Sequence, residues 1–379
     1  MKLAFICDGE QDDQLHWSGT IWQLSQALKA QGAELLHLNI KDYLAEGIYR
    51  SITTTPYVSA DSLWHAISPT CLQWLARCLE KKLAQHRPDA VLSHGAFGLA
   101  YLQTDLPCFY WEDMPSVLLT QTYPRYRDSD PLILKSWEQA EQLAFLNVRH
   151  LFFPSDWSSQ TACRHYELDA ARISVLPFGA NLNPTPDAET LQTLWQQRQT
   201  KSWQMLFIGK DWERKGGPCV LEMLQHLNQA GLKIQLQLVG CTPEIPADLA
   251  EQVHLHGFLN KAQPADQVRL RQLLSESHLL VMPSRAEGFG VVYAEAAAYG
   301  LPVLAADVGG VSSAVKDNGI LLPAEASAAD YAAAVLALHQ DPERYQQLAE
   351  AAYRRYREEL NWTVFSQKIL QQIRADSRL

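Results

Sequence analysis

The sequence predicts an α/β protein of two domains, each built on its own parallel sheet. Three observations carry that expectation. Apolar runs of strand length alternate with helical patterns along the chain, the alternation that parallel sheets with helical crossovers require. Most of those runs are apolar throughout rather than at every second residue, as strands covered on both faces are. At 379 residues the chain is long for one domain and suits two, each large enough for a core.

Met1–Cys7 reads as the first strand. A polar loop, Asp8–His16, leads to Ser18-Gly19-Thr20 and a helix over Ile21–Ala30 closed by Gly32. Further strands are expected at Glu34–Leu38, Ala90–Ser93, Cys108–Trp111, Leu151–Pro154 and Ile173–Leu176. Together they make a Rossmann-like domain over 1–181. Residues 182–202, rich in Pro, Thr and Gln, read as a linker with room for one helix. The second sheet uses Met205–Ile208, Gln235–Val239, Val253–Gly257, Leu279–Met282, Val303–Ala305 and Gly319–Leu322, which sets a second Rossmann-like domain at 203–355. A helix over Asn361–Arg374 lies in the terminal segment 356–379. In the first domain, Cys71–Gln85 carries an apolar stripe (Leu72, Leu75, Leu79, Leu83) with Arg77, Lys81 and Lys82. Such a helix either packs its stripe on the sheet or docks on an anionic membrane surface.

The net charge of −10, from 42 acidic and 32 basic side chains, argues against a nucleic-acid partner, which needs a basic face. Seven cysteines form no C-x-x-C pair and most sit in apolar runs, so reduced buried thiols are expected. The apolar run at Met1–Cys7 is too short for a signal peptide, and no run reaches membrane-spanning length. A cytoplasmic protein is expected; peripheral contact with the inner membrane face stays open through the basic helix.

The most informative stretch is Val281–Pro302. It leaves a buried strand, passes a loop at Ser284–Gly290 whose Gly288 and Gly290 permit close backbone approach, and enters a helix over Val291–Tyr299 stopped by Gly300 and Pro302. The first N–H groups of such a helix favour an anion. Glu287 and Glu295, with seven residues between them, add hydroxyl-accepting carboxylates. An anion site beside two carboxylates suits a phosphorylated polyol such as a nucleotide sugar. A second strand, Met205–Gly209, runs into Lys210-Asp-Trp-Glu-Arg-Lys215-Gly-Gly217. It lacks the G-x-x-x-x-G-K order of a P-loop and so is not read as an ATPase.

Pro283-Ser-Arg-Ala-Glu-Gly-Phe-Gly290 with its E-x7-E spacing, the Gly300-Leu-Pro-Val303 turn and Gly309-Gly310-Val311 resemble the donor site of retaining glycosyltransferases of the GT-B fold, family 4. The resemblance is strongest over Met205–Pro323. It implies an enzyme that moves a hexose-type sugar, with retention, from a UDP- or GDP-linked sugar to a hydroxyl of an acceptor sugar, lipid-linked sugar or small molecule. No metal or other cofactor is expected. Lys210 and Lys215, just after Gly209, would hold the diphosphate, with lysine where the family more often has arginine first. Glu287 and the backbone of Phe289, Gly290 and Val291 would hold the sugar and distal phosphate, and Glu295 the ribose. The Gly257–Lys261 turn, with Phe258 and Leu259, would meet the base. Ser18, Gly19 and Thr20 match a loop that approaches the diphosphate from the other domain; an N-cap for the Ile21 helix explains them equally.

Many members carry a histidine after the strand matching Phe109–Trp111. Here Glu112-Asp113 stands there, leaving Asp113 or His94, at the end of Ala90–Ser93, for its role. The resemblance also implies a terminal helix that crosses back to the first domain. Asp128-Ser129-Asp130 has a D-x-D spacing but follows Tyr123–Arg127 rather than a strand, and reads as a solvated turn. Two other classes compete. A nicotinamide oxidoreductase lacks its G-x-G-x-x-G after Met1–Cys7; a non-catalytic sugar-nucleotide-binding or assembly protein is permitted by the Glu112-Asp113 departure.

Overall fold

The computed structural model describes residues 1–44, 68–123, 126 and 131–377. The chain divides into two compact units, Met1–Leu176 with Thr363–Leu379, and Pro177–Trp362. Asp128-Ser129-Asp130 falls outside the described residues.

The first unit holds six strands, β1 (Lys2–Cys7), β2 (Glu34–Asn39), β3 (Ala90–His94), β4 (Cys108–Trp111), β5 (His150–Phe153) and β6 (Ile173–Val175). All pair in parallel, in the order β2-β1-β3-β4-β5-β6. Leu3–Cys7, Ala90–Ser93 and Cys108–Trp111 are buried, because helices cover both faces. Those helices are α1 (Thr20–Ala30), α2 (Pro69–His86), α3 (Ser116–Thr122), α4 (Pro131–Asn147) and α5 (Asp156–His165). Ser68 caps α2 by accepting from Cys71 N–H, with Pro69 in the first turn. The Leu72, Leu75, Leu79 and Leu83 stripe of α2 is buried in the first unit's core, while Arg77 and Lys81 are exposed.

The second unit opens with α6 (Ala188–Gln199), within the segment expected as linker. Its strands are β7 (Gln204–Ile208), β8 (Gln235–Val239), β9 (Val253–Leu255), β10 (Leu279–Met282), β11 (Val303–Ala306) and β12 (Gly319–Leu322). The order is β12-β11-β10-β7-β8-β9, again all parallel. Helices α7 (Gly217–Gln229), α8 (Pro264–Glu276), α9 (Val291–Ala298), α10 (Val311–Ala314), α11 (Ala328–Gln340) and α12 (Pro342–Glu358) accompany them. The last helix, α13 (Trp362–Ser377), lies almost entirely in the first unit. Among the described residues no helix is long and apolar enough to cross a membrane.

In a sheet of either order, the connections leave for opposite faces on the two sides of the chain's first strand. The crevice this opens at the strands' carboxyl ends is where α/β sheets receive ligands. In the first unit it lies between β1 and β3; in the second, between β7 and β10.

Candidate functional site

In the second unit the crevice is lined by the two stretches singled out by the sequence. After β7 the chain turns through Gly209–Gly216 into α7; after β10 it turns through Pro283–Gly290 into α9. The two loops are tied together: Arg285 N–H donates to Arg214 O at 2.7 Å, and Arg214 Nη1 donates to Ala286 O at 2.8 Å. Gly216 has φ +78°, and a Cβ there would lie 1.9 Å from Pro283 O, so only glycine lets the loops approach this closely. Gly290, at φ +80°, forms the N-cap of α9.

Across this junction Lys215 Nζ forms an ion pair with Glu287 Oε2, and Arg214 Nη1 lies 3.9 Å from the same oxygen. The Glu287 residue is 7 % exposed and Glu295, on α9, 2 %. Glu295 pairs with Lys261 Nζ from the turn after β9. Each buried carboxylate thus has a cation from a neighbouring loop, which is the condition for burying it at all. Lys210 is exposed and its ammonium sits 4.1 Å above the Phe258 ring. Phe258 is half exposed and Leu259 partly so. The Phe289 side chain is fully buried, edge-on to Phe178, leaving only its backbone for a ligand. Gly209 is buried and its N–H donates to Val239 O; Val291 begins α9.

The first unit's crevice carries the remaining expected residues. Thr20 opens α1 and is buried. Gly19 is the N-cap at φ +85° and has no side chain to cap with, so the N-cap position falls to a glycine rather than to Ser18 or Thr20. Ser18 is exposed, and both it and Trp17 adopt left-handed backbone, φ +60° and +48°. His94, at the end of β3, is flanked on both ring nitrogens. Nδ1 lies 3.4 Å from Asp8 Oδ1 and Nε2 3.3 Å from Glu112 Oε2. The latter approach is out of hydrogen-bond alignment. His16 Nε2 meets Asp8 Oδ1 at 3.0 Å. The His94 ring is 4.4 Å from that of Trp17 and 4.8 Å from that of Trp111, centroid to centroid.

Burial opposes the charge on His94, but Glu112 and Asp8 outweigh it and hold its pKa well above the usual histidine value. Burial likewise works against the Asp8 carboxylate, and His16 and His94 reverse this, keeping Asp8 ionised to far below the usual range. Asp113, the next residue, donates its N–H to Glu112 Oε1 at 2.8 Å, and its carbonyl accepts from Ser158 Oγ at 2.8 Å. Asp8, Glu112, Lys261 and Arg214 were not among the expected site residues. Each stands just after a strand or in a loop that was singled out, and that position was the available signal. Among the described residues, no three His, Cys, Asp or Glu side chains are grouped to hold a metal ion.

Two parallel sheets of these orders, one per unit, make the chain an α/β protein of the GT-B class. The comparisons agree. Residues 203–341 match the family model of the group 1 glycosyl transferases. A D-inositol 3-phosphate glycosyltransferase of Xylanimonas cellulosilytica is 30 % identical over 242 residues, 60 % of this chain and 54 % of the relative. The chain spans about half the length of the curated relatives it matches. The sucrose-phosphate synthase structure from Thermosynechococcus elongatus superposes with a TM-score of 0.69 at 18 % identity, covering 99 % of this chain and 98 % of that one. Anabaena HepE, solved with UDP-glucose, gives 0.62 at 17 % identity and covers 99 % of this chain and 100 % of its own.

Proposed function

We propose that the protein is a glycosyltransferase that moves a hexose-type sugar from a nucleotide-diphosphate sugar to an acceptor hydroxyl, retaining the anomeric configuration. One observation carries this reading: two buried carboxylates, each paired with a lysine, at the carboxyl edge of the second unit's sheet beside the N-terminus of α9. The arrangement offers cations and N–H groups to a diphosphate, and carboxylates to sugar hydroxyls. Before the donor arrives, each lysine and glutamate hold one another in place. When it binds, Lys215 trades Glu287 for diphosphate oxygens, and Glu287 turns to a hydroxyl of the sugar. Lys261 and Glu295 divide in the same way at the ribose, and Lys210 with Phe258 borders the base and phosphates. As the anomeric bond lengthens, Lys210, Lys215 and the α9 N–H groups stabilise the charge growing on the leaving diphosphate. The acceptor oxygen enters from the leaving-group face and passes its proton to the departing diphosphate oxygen.

The relatives named D-inositol 3-phosphate glycosyltransferases and the UDP-glucose complex of HepE support a sugar-transfer reading with a UDP-linked donor. Thermal-shift screening over UDP- and GDP-linked sugars should find a donor that raises the melting temperature. With that donor, and in EDTA because the chain's own cations take up the charge, Lys215→Ala should lower turnover by about 10²–10³, the usual cost of losing one donor to a developing oxyanion, and Glu287→Ala, which loses the acceptor for a sugar hydroxyl, should lower it as well. Near wild-type turnover in either folded variant would remove the assignment.

A further inference from the structure

Among the described residues three carboxylates are buried: Glu287, Glu295 and Glu141. The first two each have a lysine. Glu141, on α4 and 3 % exposed, has hydrogen-bond donors instead. Ser116 N–H, at the start of α3, donates to Oε1 at 2.9 Å and to Oε2 at 3.0 Å. Ser116 Oγ donates to Oε2 at 2.6 Å, and the Tyr166 hydroxyl, just past α5, donates to the same oxygen. The titratable groups facing Glu141 are the phenols of Tyr166 and of Tyr110 on β4, and the Glu112 carboxylate; none is a cation. His165, beside Tyr166, pairs with Glu138. A carboxylate buried on N–H and O–H groups alone costs more than an amide or an apolar side chain of its size.

What that carboxylate holds is the turn Glu112–Pro115, which leaves β4 and runs into Ser116. At its start Glu112 Oε2 lies 3.3 Å from His94 Nε2. In its middle the Asp113 carbonyl accepts from Ser158 Oγ at 2.8 Å. At its end Ser116 is gripped by Glu141. The Glu112 side chain is 22 % exposed, so its place is set by the backbone that carries it more than by packing. We propose that Glu141 is a positioning residue: by gripping Ser116 while ionised, it fixes the Glu112–Pro115 turn and with it the contact of Glu112 with His94. An ionised carboxylate only accepts; protonation turns one oxygen into a donor and weakens its hold on the Ser116 N–H and O–H. Burial raises the Glu141 pKa to about 7, with the Ser116 and Tyr166 donors opposing the rise and Glu112 adding to it. The grip therefore tightens as pH rises through the neutral range. Global stability moves the other way. The folded state holds this proton more tightly, so the group's contribution is complete below the ordinary value of 4.5 and is lost as pH climbs toward about 7. A side chain that only filled the core would not tighten one turn while weakening the whole.

The test uses the whole protein without any nucleotide sugar, so the proposal can fail while the glycosyltransferase reading stands. Amide exchange of Ser116 and the turn before it is compared between wild type and Glu141→Gln at about pH 5.5 and about pH 8, on either side of the Glu141 value. At the higher pH the variant should exchange about tenfold faster, the scale of losing a hydrogen bond to a charged group. At the lower pH, where both side chains are neutral, the two should agree. Imidazole NMR of His94, assigned with His94→Gln, gives the second readout. Its titration midpoint should fall by about one unit in Glu141→Gln as Glu112 draws away from the ring. If Glu141→Gln does not fold, Ser116→Ala, which removes only the hydroxyl donor, replaces it in both comparisons with smaller effects of the same sign. An exchange ratio equal at the two pH values, or a His94 midpoint that stays where it is, would overturn the proposal.

Discussion

Lys215 and Glu287 are the best case for separating what a residue does for the fold from what it does for a ligand. Both are nearly buried, with side-chain exposures of 12 % and 9 %, and they come from loops 72 positions apart in sequence. Removing one partner leaves a buried charge uncompensated, whereas removing both leaves two apolar surfaces that can pack. Lys215→Met should therefore cost about 3 kcal/mol or more in urea unfolding, and Lys215→Met with Glu287→Leu distinctly less than the single change. A double variant as unstable as the sum of the singles would show that the pair is not coupled. His94 makes a prediction that depends on pH. Its pKa in the folded protein is raised, burial opposing the shift while Glu112 and Asp8 drive it. The folded state therefore holds the proton more tightly than the unfolded one. The resulting stability is complete below about pH 6.5 and is lost as pH climbs above it toward the raised value. Unfolding free energies of wild type and His94→Gln, measured across that range, should converge as pH rises. A gap that is constant or widens would contradict the charge on His94.

At the scale of elements, Arg198 shows how a helix from outside the sheet holds the site in place. It sits on α6, is 1 % exposed, and donates to four carbonyls: Leu274 and Ser275 at the end of α8, Tyr299 and Gly300 at the end of α9. Those are C-terminal carbonyls that no later turn satisfies, at the negative end of each helix dipole. One guanidinium so anchors α9, which carries Glu295 and offers its N-terminus to the crevice. Arg198→Met keeps the volume but orphans the carbonyls, and should lower stability by about 3 kcal/mol, the scale of losing buried charge-assisted hydrogen bonds. It should also raise the donor's KM, since α9 loses its stop. A variant with unaltered denaturation would show that water can replace the guanidinium. This clamp could not be read from sequence. Residues 182–202 have the composition of a linker, and nothing local says that an arginine in them reaches carbonyls about 80–100 positions away. The twelve strands among the described residues were legible because most are short, largely apolar runs, a signal contained in the strand itself. Glu287, Glu295, Lys210 and Lys215 were legible because strand, glycine and helix stop flank them. Their pairing was not, nor that Glu112 and Asp8 meet His94, because both depend on which loops tertiary packing brings together.

For the whole molecule, the division of the chain matters more than its length. The first unit is discontinuous: Met1–Leu176 is completed by Thr363–Leu379, which the chain reaches only after building the second unit. Residues of α13 are part of the first unit's core. Phe365, Ile369, Leu370 and Ile373 are each no more than 2 % exposed. The Phe365 ring stands edge-on to Trp111 at 6.4 Å, and Arg149 Nη1 donates to the carbonyl of Asp376 at 2.8 Å. Burying a large apolar side chain contributes about 1.5–3 kcal/mol, so these four alone supply about as much as the whole net stability of an ordinary domain, 5–15 kcal/mol. Ending the chain at Trp362 should therefore unfold the first unit. The second unit keeps every residue of Pro177–Trp362, including the Phe178–Trp362 stack and the Trp362 Nε1 hydrogen bond to Asn181. Amide exchange on that truncated chain should find Met205–Ile208 still protected and Leu3–Cys7 exchanging freely. The nucleotide sugar should still bind, since Lys210, Lys215, Glu287 and Glu295 all lie in the surviving unit. Protection lost equally from both sheets would mean that the two cores do not stand independently. Protection kept in both would mean that α13 is dispensable to the core it enters.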